Sequence, residues 1–187
     1  MGRWEPDAAG RLREAAMALY IERGFEGTTV AEIADRAGVT ARTFFRHFTD
    51  KREVLFAGSE ELEQCMVAAL AGAPPSAGPM DAIAAALLTA GELFADRRDY
   101  SRRRQAVIAA TPELRERELI KMASLATAFA DALQQRGVGP AVASLAAETG
   151  VAVFRVAFER WVTEPGDAEL ADVMRATLAD LAGLTTH

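Results

Sequence analysis

TTVAEIADRAGVTARTFFRHFTDKREVLF, residues 28–56, contains two short helices and the turn between them. Thr29 can accept a hydrogen bond from the backbone amide of Glu32, whose carboxylate can reach back, which is a capping box that starts a helix. Ile33, Ala34 and Ala37 then recur at helical spacing and face inward. Gly38 stops that helix at a position suited to a left-handed turn. Thr40 caps a third helix, Ala41 to His47, with Phe44 and Phe48 on its buried side. Helices over 29–37 and 41–47, joined by three residues that include a glycine, have the spacing of a helix-turn-helix. In that motif the second helix enters the DNA major groove.

Outward from this core, a first helix is expected from about Pro6 to Arg23. Leu12, Ala15, Ala16, Leu19 and Tyr20 share one face, and Gly24 is its stop. On the other side Asp50, with Glu53 three residues later, begins a fourth helix whose apolar face opens with Val54 and Leu55. It is expected to continue to Leu70, where AGAPPSAGP breaks it. Further helices are expected at roughly 80–95, 99–110, 112–136, 140–164 and 167–184. Thr111-Pro112, Gly137 to Pro140 and Pro165-Gly166 separate the later ones. No alternating valine- or isoleucine-rich run suggests a strand. The expected fold is all-α, about nine helices in total. A three-helix domain over 1–57 is followed by a ligand-binding and dimerisation domain over 58–187.

Half of the 187 residues are apolar and 26% are charged, enough for a substantial core and unlike a disordered chain. The net charge of −6 looks unsuited to DNA, but its distribution matters. Residues 1–56 hold nine Lys/Arg and nine Asp/Glu, leaving 12 bases against 18 acids of the chain's totals of 21 and 27. Arg36, Arg42, Arg46, Lys51 and Arg52 crowd one stretch of the neutral part, so a local basic surface can meet phosphate while the acidic remainder is repelled. The single cysteine, Cys65, forms no intrachain disulfide and suits a reducing compartment. The opening MGRWEPDAAGR lacks the apolar stretch of a signal peptide, and no run reaches 18 apolar residues. A soluble, cytoplasmic protein is expected.

The segment 28–56 resembles the DNA-binding signature of the TetR family of transcriptional repressors. The resemblance extends over about residues 10–57 and rests on Thr28-Thr29, Ile33-Ala34, Ala37-Gly38-Val39, Thr43, Phe48 and Lys51. It implies a palindromic double-stranded operator as partner, bound by Thr28, Thr29, Thr40, Ala41, Arg42, Thr43, Phe45, Arg46, His47 and Lys51. Thr28 and Thr29 sit at a helix N-terminus, where amides and hydroxyls suit a phosphate oxygen; capping alone is the other reading. Thr40, Ala41 and Arg42 form the turn that meets base edges. Arg42 can take a guanine bidentately or a phosphate. Position 45 is usually tyrosine in the family. Phenylalanine has no hydroxyl for a phosphate, which leaves packing against sugar or a thymine methyl. Arg46 and His47 can reach phosphates, although His47 also reads as a ring packed beside Phe48. Lys51 is the expected phosphate anchor.

In the second half, Ser144, Glu148, Arg155 and Glu159 form a single polar stripe on a helix that is otherwise apolar. A helix apolar on most of its circumference is buried on more than one side. The resemblance implies a homodimer through 140–164 and 167–184. Val151, Phe158, Trp161, Leu170, Met174 and Leu178 are the expected interface, with half-sites about 34–36 Å apart. It also implies a small, hydrophobic effector enclosed by Met66, Phe94, Met122, Leu125, Phe129 and Phe154; ordinary core is the other reading of each. Its binding is expected to shift the fourth helix and so the spacing of the recognition helices, relieving repression. RRDYSRRR, residues 97–104, can receive an anionic headgroup, or can be a solvated helix start or a contact to the DNA-binding domain.

An activator of the same fold is the alternative. A Cys65 redox sensor and an enzyme are the others, although a free cysteine on a helix is usually small buried core. An enzyme has little support. The histidines are His47 and His187 alone, and no Gly-rich phosphate loop, HExxH pair or Cys/His metal spacing occurs. No metal and no cofactor are expected.

Overall fold

The computed structural model describes residues 7–185, so the expected helix start at Pro6 and His187 lie outside the described residues. The described residues form nine α-helices and no strand: α1 (Ala8–Arg23), α2 (Val30–Arg36), α3 (Ala41–His47), α4 (Ser59–Ala71), α5 (Pro79–Leu93), α6 (Arg98–Ala110), α7 (Pro112–Gln135), α8 (Pro140–Thr163) and α9 (Leu170–Thr185). They divide into two compact units. The chain up to Ala57 joins with Arg103–Glu116 in the first, and Gly58–Arg102 with Arg117 onward make the second.

In the first unit α1 packs against α2 and α3. Asp7 caps α1 by accepting from the Gly10 amide at 2.7 Å, and Gly24 stops it at φ 78°, a left-handed value that glycine adopts without strain. Leu12, Ala15, Ala16, Met17, Leu19 and Tyr20 are its buried face. They meet Ile33, Ala34, Phe44, Val54, Leu55 and Phe56, all buried. The continuous fourth helix expected from Asp50 to Leu70 is in fact two elements. Asp50 Oδ1 accepts from the Arg52 and Glu53 amides and opens only a 3₁₀ turn, Glu53–Phe56. Gly58, at φ 85°, then interrupts the chain before α4. A glycine free to turn left-handed ends the turn that its apolar neighbours would otherwise extend.

In the second unit α5 packs against α4, α8 and α9, and α8 against α9. Their facing surfaces are built of small residues: Ala82, Ala86, Ala90, Ala143, Ala146, Ala147 and Ala157 are buried beside Met66, Ile83, Leu87 and Phe129. Gly91 and Gly150 allow the closest approaches. A Cβ on Gly91 would lie 2.6 Å from the Ala171 Cα, and one on Gly150 would lie 2.6 Å from Ile83 Cγ2. Among the described residues α8 is the one helix long and apolar enough to cross a membrane by length and composition. Its buried residues, Ala143 to Val162, belong to this core.

Arginines close the helix C-termini of this unit. Arg98 donates from Nε to the Trp161 carbonyl at 2.8 Å and from Nη2 to that of Glu164 at 2.6 Å, and it also bonds the Gly166 carbonyl. Arg102 donates to the Val162 carbonyl at 2.9 Å. The end of α8, with its orphan carbonyls and negative dipole end, is thereby capped by two guanidinium groups. Arg136 does the same after α4, donating to the carbonyls of Ala71, Ala73 and Pro74. Within the RRDYSRRR segment Arg98 and Arg102 are therefore engaged with backbone carbonyls, while Arg97 and Arg103 are exposed. In the first unit Arg104 donates to the Leu55 carbonyl at 2.7 Å and lies 5.0 Å from the Phe56 ring centre.

Because the added methyl of Gly91→Ala would meet backbone rather than a movable side chain, this change is expected to destabilise the protein. The cost is about 1–3 kcal/mol, read as a lower urea midpoint than that of a Thr89→Ala control on the same helix.

Candidate functional site

The helix-turn-helix is positioned by its caps. Thr29 Oγ1 accepts from the Glu32 amide at 3.3 Å, while the Glu32 carboxylate accepts from the Thr29 amide and hydroxyl, both at 2.8 Å. These bonds hold the Glu32 carboxyl below the usual carboxylate range. Gly38 supplies the left-handed turn at φ 69°. Thr40 Oγ1 accepts from the Thr43 amide at 3.2 Å and starts α3. Arg11 reaches across from α1 to bond the Ala37 carbonyl at the end of α2.

Phe44 is fully buried and anchors α3; it meets Phe48 at 5.6 Å and Phe45 edge-on at 5.4 Å between ring centres. Behind that anchor Thr40, Ala41, Arg42, Phe45, Arg46 and His47 are exposed, and Thr43 is half-buried with its hydroxyl 3.1 Å from that of Thr40. Arg46 Nη2 lies 3.5 Å from His47 Nε2, and the His47 ring lies 6.3 Å from that of Phe48, so the imidazole sits beside Phe48 as well as at the surface. Thr29 is exposed at the start of α2.

Two expected contacts face the wrong way. Thr28 is 1% exposed, and its hydroxyl donates to the Gly24 carbonyl at 2.9 Å, so it closes the α1–α2 turn and presents nothing to a phosphate. Lys51, the expected anchor, turns its ammonium inward. Nζ donates to the Phe25 carbonyl at 2.8 Å and the Thr28 carbonyl at 3.0 Å, and stands 4.2 Å from the Phe25 ring centre. Its own carbonyl accepts from the Tyr20 hydroxyl at 2.6 Å. The Phe25 carbonyl also accepts from the Thr28 amide at 3.2 Å. Backbone carbonyls attract a cation as a phosphate does, and the lysine reaches these two without leaving the fold.

The basic stretch is narrower than its residue count. Arg36 is paired with Glu22, through Nη2 and Oε1 at 2.7 Å, and Arg52 with Asp50 at 2.7 Å. Each pairing holds the carboxyl below its usual range. With Lys51 also engaged, Arg42 and Arg46 remain as the cations of the exposed side of α3.

In the second unit the six expected effector residues do come together, all in one hydrophobic cluster. Met66, Leu125, Phe129 and Phe154 are buried, and Phe94 and Met122 are half-buried. The rings of Phe94, Phe154, Phe158 and Trp161 form a continuous chain, with centres 5.4 to 6.1 Å apart. A cleft of about 340 Å³ lies elsewhere, lined by Ser59, Glu60, Glu63, Gln64, Lys121 and Ser124, and is polar. Cys65, expected in the core, is exposed on α4.

The expected dimer residues belong instead to the interior of the protomer. Val151, Trp161, Leu170 and Met174 are buried there, and Phe158 and Leu178 pack half-buried against the same core. The indole of Trp161 donates to the Ala168 carbonyl at 3.0 Å. What α8 leaves outside is a different line, Val142, Leu145, Ala152 and Val156, beside the polar stripe Ser144, Glu148, Arg155 and Glu159. On α9 Ala176, Ala179, Gly183 and Leu184 are exposed. Both stripes follow the helical repeat, and the sequence does not tell which one faces inward.

Capped helices, a glycine turn and an arginine-bearing outer side define a helix-turn-helix regulator of transcription. The model of bacterial regulatory proteins of the tetR family matches residues 12–57, and that of the MftR C-terminal domain matches residues 77–185. The chain belongs to the TetR family, whose members are transcriptional regulators and not enzymes.

The chain is 37% identical over 76 residues to the HTH-type transcriptional regulator TcmR of Streptomyces glaucescens, a match covering 41% of this chain and 34% of that one. It is 44% identical over 46 residues to the repressor KstR2 of Mycobacterium tuberculosis, covering 25% and 23%. The chain thus spans about a third or less of the length of these curated relatives. In fold it is similar over 97% of its length to a TetR-family regulator from Syntrophomonas wolfei, with a TM-score of 0.69, 16% identity and 96% of that chain covered. FadR of Bacillus subtilis, solved in complex with stearoyl-CoA, matches over 92% of this chain and 96% of its own, with a TM-score of 0.62 and 18% identity.

Two measurements test the Lys51 junction. Lys51→Met is expected to lower stability by about 1–3 kcal/mol, since the Thr28 carbonyl loses its charged donor and the Phe25 carbonyl keeps only the Thr28 amide, as read by urea denaturation. Burial and, second, Asp50 raise the Tyr20 phenol well above its ordinary value. The folded state therefore favours the neutral phenol, and that stability is complete below about pH 10, where an unfolded tyrosine ionises, and is lost as pH rises further. Denaturation midpoints should fall steeply above that pH in the wild type and less steeply in Tyr20→Phe.

Proposed function

We propose that this chain is a repressor that binds a palindromic operator as a homodimer and leaves it when a small apolar effector binds. The observation that carries the DNA-binding part is the exposed side of α3, where Arg42 and Arg46 stand without an ion-pair partner among the described residues, behind which Phe44 is buried. Cations with no ion-pair partner on the helix that enters the groove are those that displace counterions from phosphate and read guanine. Thr29, Thr40, Ala41, Thr43 and His47 complete this surface, without Thr28 and Lys51.

The same reading assigns the dimer contact to the outward stripe of α8 and α9. Leu145 is 71% exposed and Leu184 is 79% exposed, with Val142, Val156 and several alanines around them. Apolar residues repeated along two neighbouring helices leave water when a second copy packs on them with two-fold symmetry. The apolar cluster of α4, α5, α7 and α8 is the proposed effector site. Its polarizable and aromatic side chains suit an apolar ligand, and residues 58–187 act as the effector and dimerisation domain.

The decisive experiment is binding of the purified protein to a duplex carrying the promoter of its own gene, over a salt series. Wild type should bind tightly with a steep salt dependence. Arg42→Ala and Arg46→Ala should each weaken binding by about tenfold or more and lower the salt slope by about one. Equal, weak binding by all three proteins would sink the assignment. Leu145→Asp should give a monomer on a sizing column and lose operator affinity while keeping its helical content. Stearoyl-CoA, the ligand of the FadR neighbour, is the first effector probe; release of the duplex by it, and not by CoA alone, would support an effector recognised by its apolar chain.

A further inference from the structure

The exposed side of α3 carries one group that the charge argument does not use. Phe45 is 58% exposed, a large apolar surface on a helix otherwise offering hydroxyls, guanidinium groups and an imidazole. It stands three residues after Arg42 and four after Ala41, on the line of the helix that runs down from the N-terminal turn. Its ring lies edge-on to the buried ring of Phe44, at 5.4 Å and 82°, and leaves its remaining surface to solvent.

A phenyl ring cannot bond a phosphate, and burying it against one would strand the phosphate's hydration. The base edges of the major groove offer one apolar group, the 5-methyl of thymine. Deoxyribose also offers C–H groups, but it carries no base identity and lies beside the charged phosphates. We infer that Phe45 reads thymine by its 5-methyl group, so that each half-site of the operator carries a thymine facing α3 next to the base met by Arg42. This rests on the DNA-binding reading above and adds to it a base identity recognised without a hydrogen bond. The selectivity is for a methyl at C5, and 5-methylcytosine satisfies it where cytosine does not.

The test begins with selection of bound molecules from random-sequence duplexes by the full-length protein. Each thymine of the selected half-site is then replaced singly by uracil, which removes the methyl and keeps every hydrogen bond. At one thymine the wild type should lose about fourfold in affinity per half-site, the worth of one buried methyl. Phe45→Ala should bind the thymine and uracil duplexes equally while keeping the salt slope of the wild type. With cytosine and 5-methylcytosine at that position, wild type should prefer the methylated duplex by a similar factor. Uracil without effect at every position, or a penalty that persists in Phe45→Ala, overturns the inference and leaves Phe45 against sugar. Failure to select any duplex overturns the DNA-binding reading itself and this inference with it, a result distinct from either of those. Phe45 is exposed, so Phe45→Ala keeps the fold, which helical content and urea midpoint confirm.

Discussion

An ammonium group bonded to backbone carbonyls joins three segments of the first unit. Lys51 collects the carbonyls of Phe25 and Thr28, covers the Phe25 ring, and offers its own carbonyl to Tyr20. Those two carbonyls belong to the turn that delivers Thr29 to the start of α2. The capping box, the glycine turn and the anchoring of α3 by Phe44 all depend on where that turn ends. A charge-assisted bond to a carbonyl is stronger than a neutral one and less dependent on exact partner geometry than an ion pair. It therefore suits a joint between the end of α1, the start of α2 and the segment after α3.

The second unit solves a different problem with the same chemistry. Alanine and glycine on α5, α8 and α9 let backbones approach closely, as Gly91 does at Ala171. Such surfaces gain little area per residue, so the helices depend on length and on well-satisfied ends. Arg98, Arg102 and Arg136 supply those ends by donating to carbonyls that no helix bond can use. Part of the unit's positive charge thus serves its own backbone, and the large side chains gather where the small ones leave room, around Phe94, Phe154, Phe158 and Trp161.

What the sequence made legible were features that act over three or four residues. Thr29 with Glu32, Thr40 before α3, Gly38 in the turn and the buried spacing of Phe44 and Phe48 are local patterns, and the structure has each. What it did not make legible were choices made by partners far along the chain. Lys51 had a phosphate and two carbonyls as competitors for one ammonium, and only the fold brings the carbonyls near. Thr28 had a neighbour four residues back that no capping rule singled out. Glu53 to Phe56 fits a helix by pattern, yet Gly58 breaks it. On α8 two apolar stripes were available to face inward, and the one expected at a dimer contact packs inside this chain, because composition does not distinguish inside from outside. Cys65 was expected inside for its chemistry and stands outside for its place on α4.

The inward turn of Lys51 separates two kinds of selection. Residues that keep the helix-turn-helix in shape, such as Phe44, Thr28 and Lys51, point into the first unit, whereas Arg42, Phe45 and Arg46 on the outer side of α3 are exposed. Arg42, Phe45 and Arg46 can therefore be exchanged over evolutionary time with little loss of stability. A duplicated copy of such a gene starts with an intact scaffold and a freely mutable reading surface. Divergence toward a new operator then requires only a few tolerated steps, none of which passes through an unfolded protein.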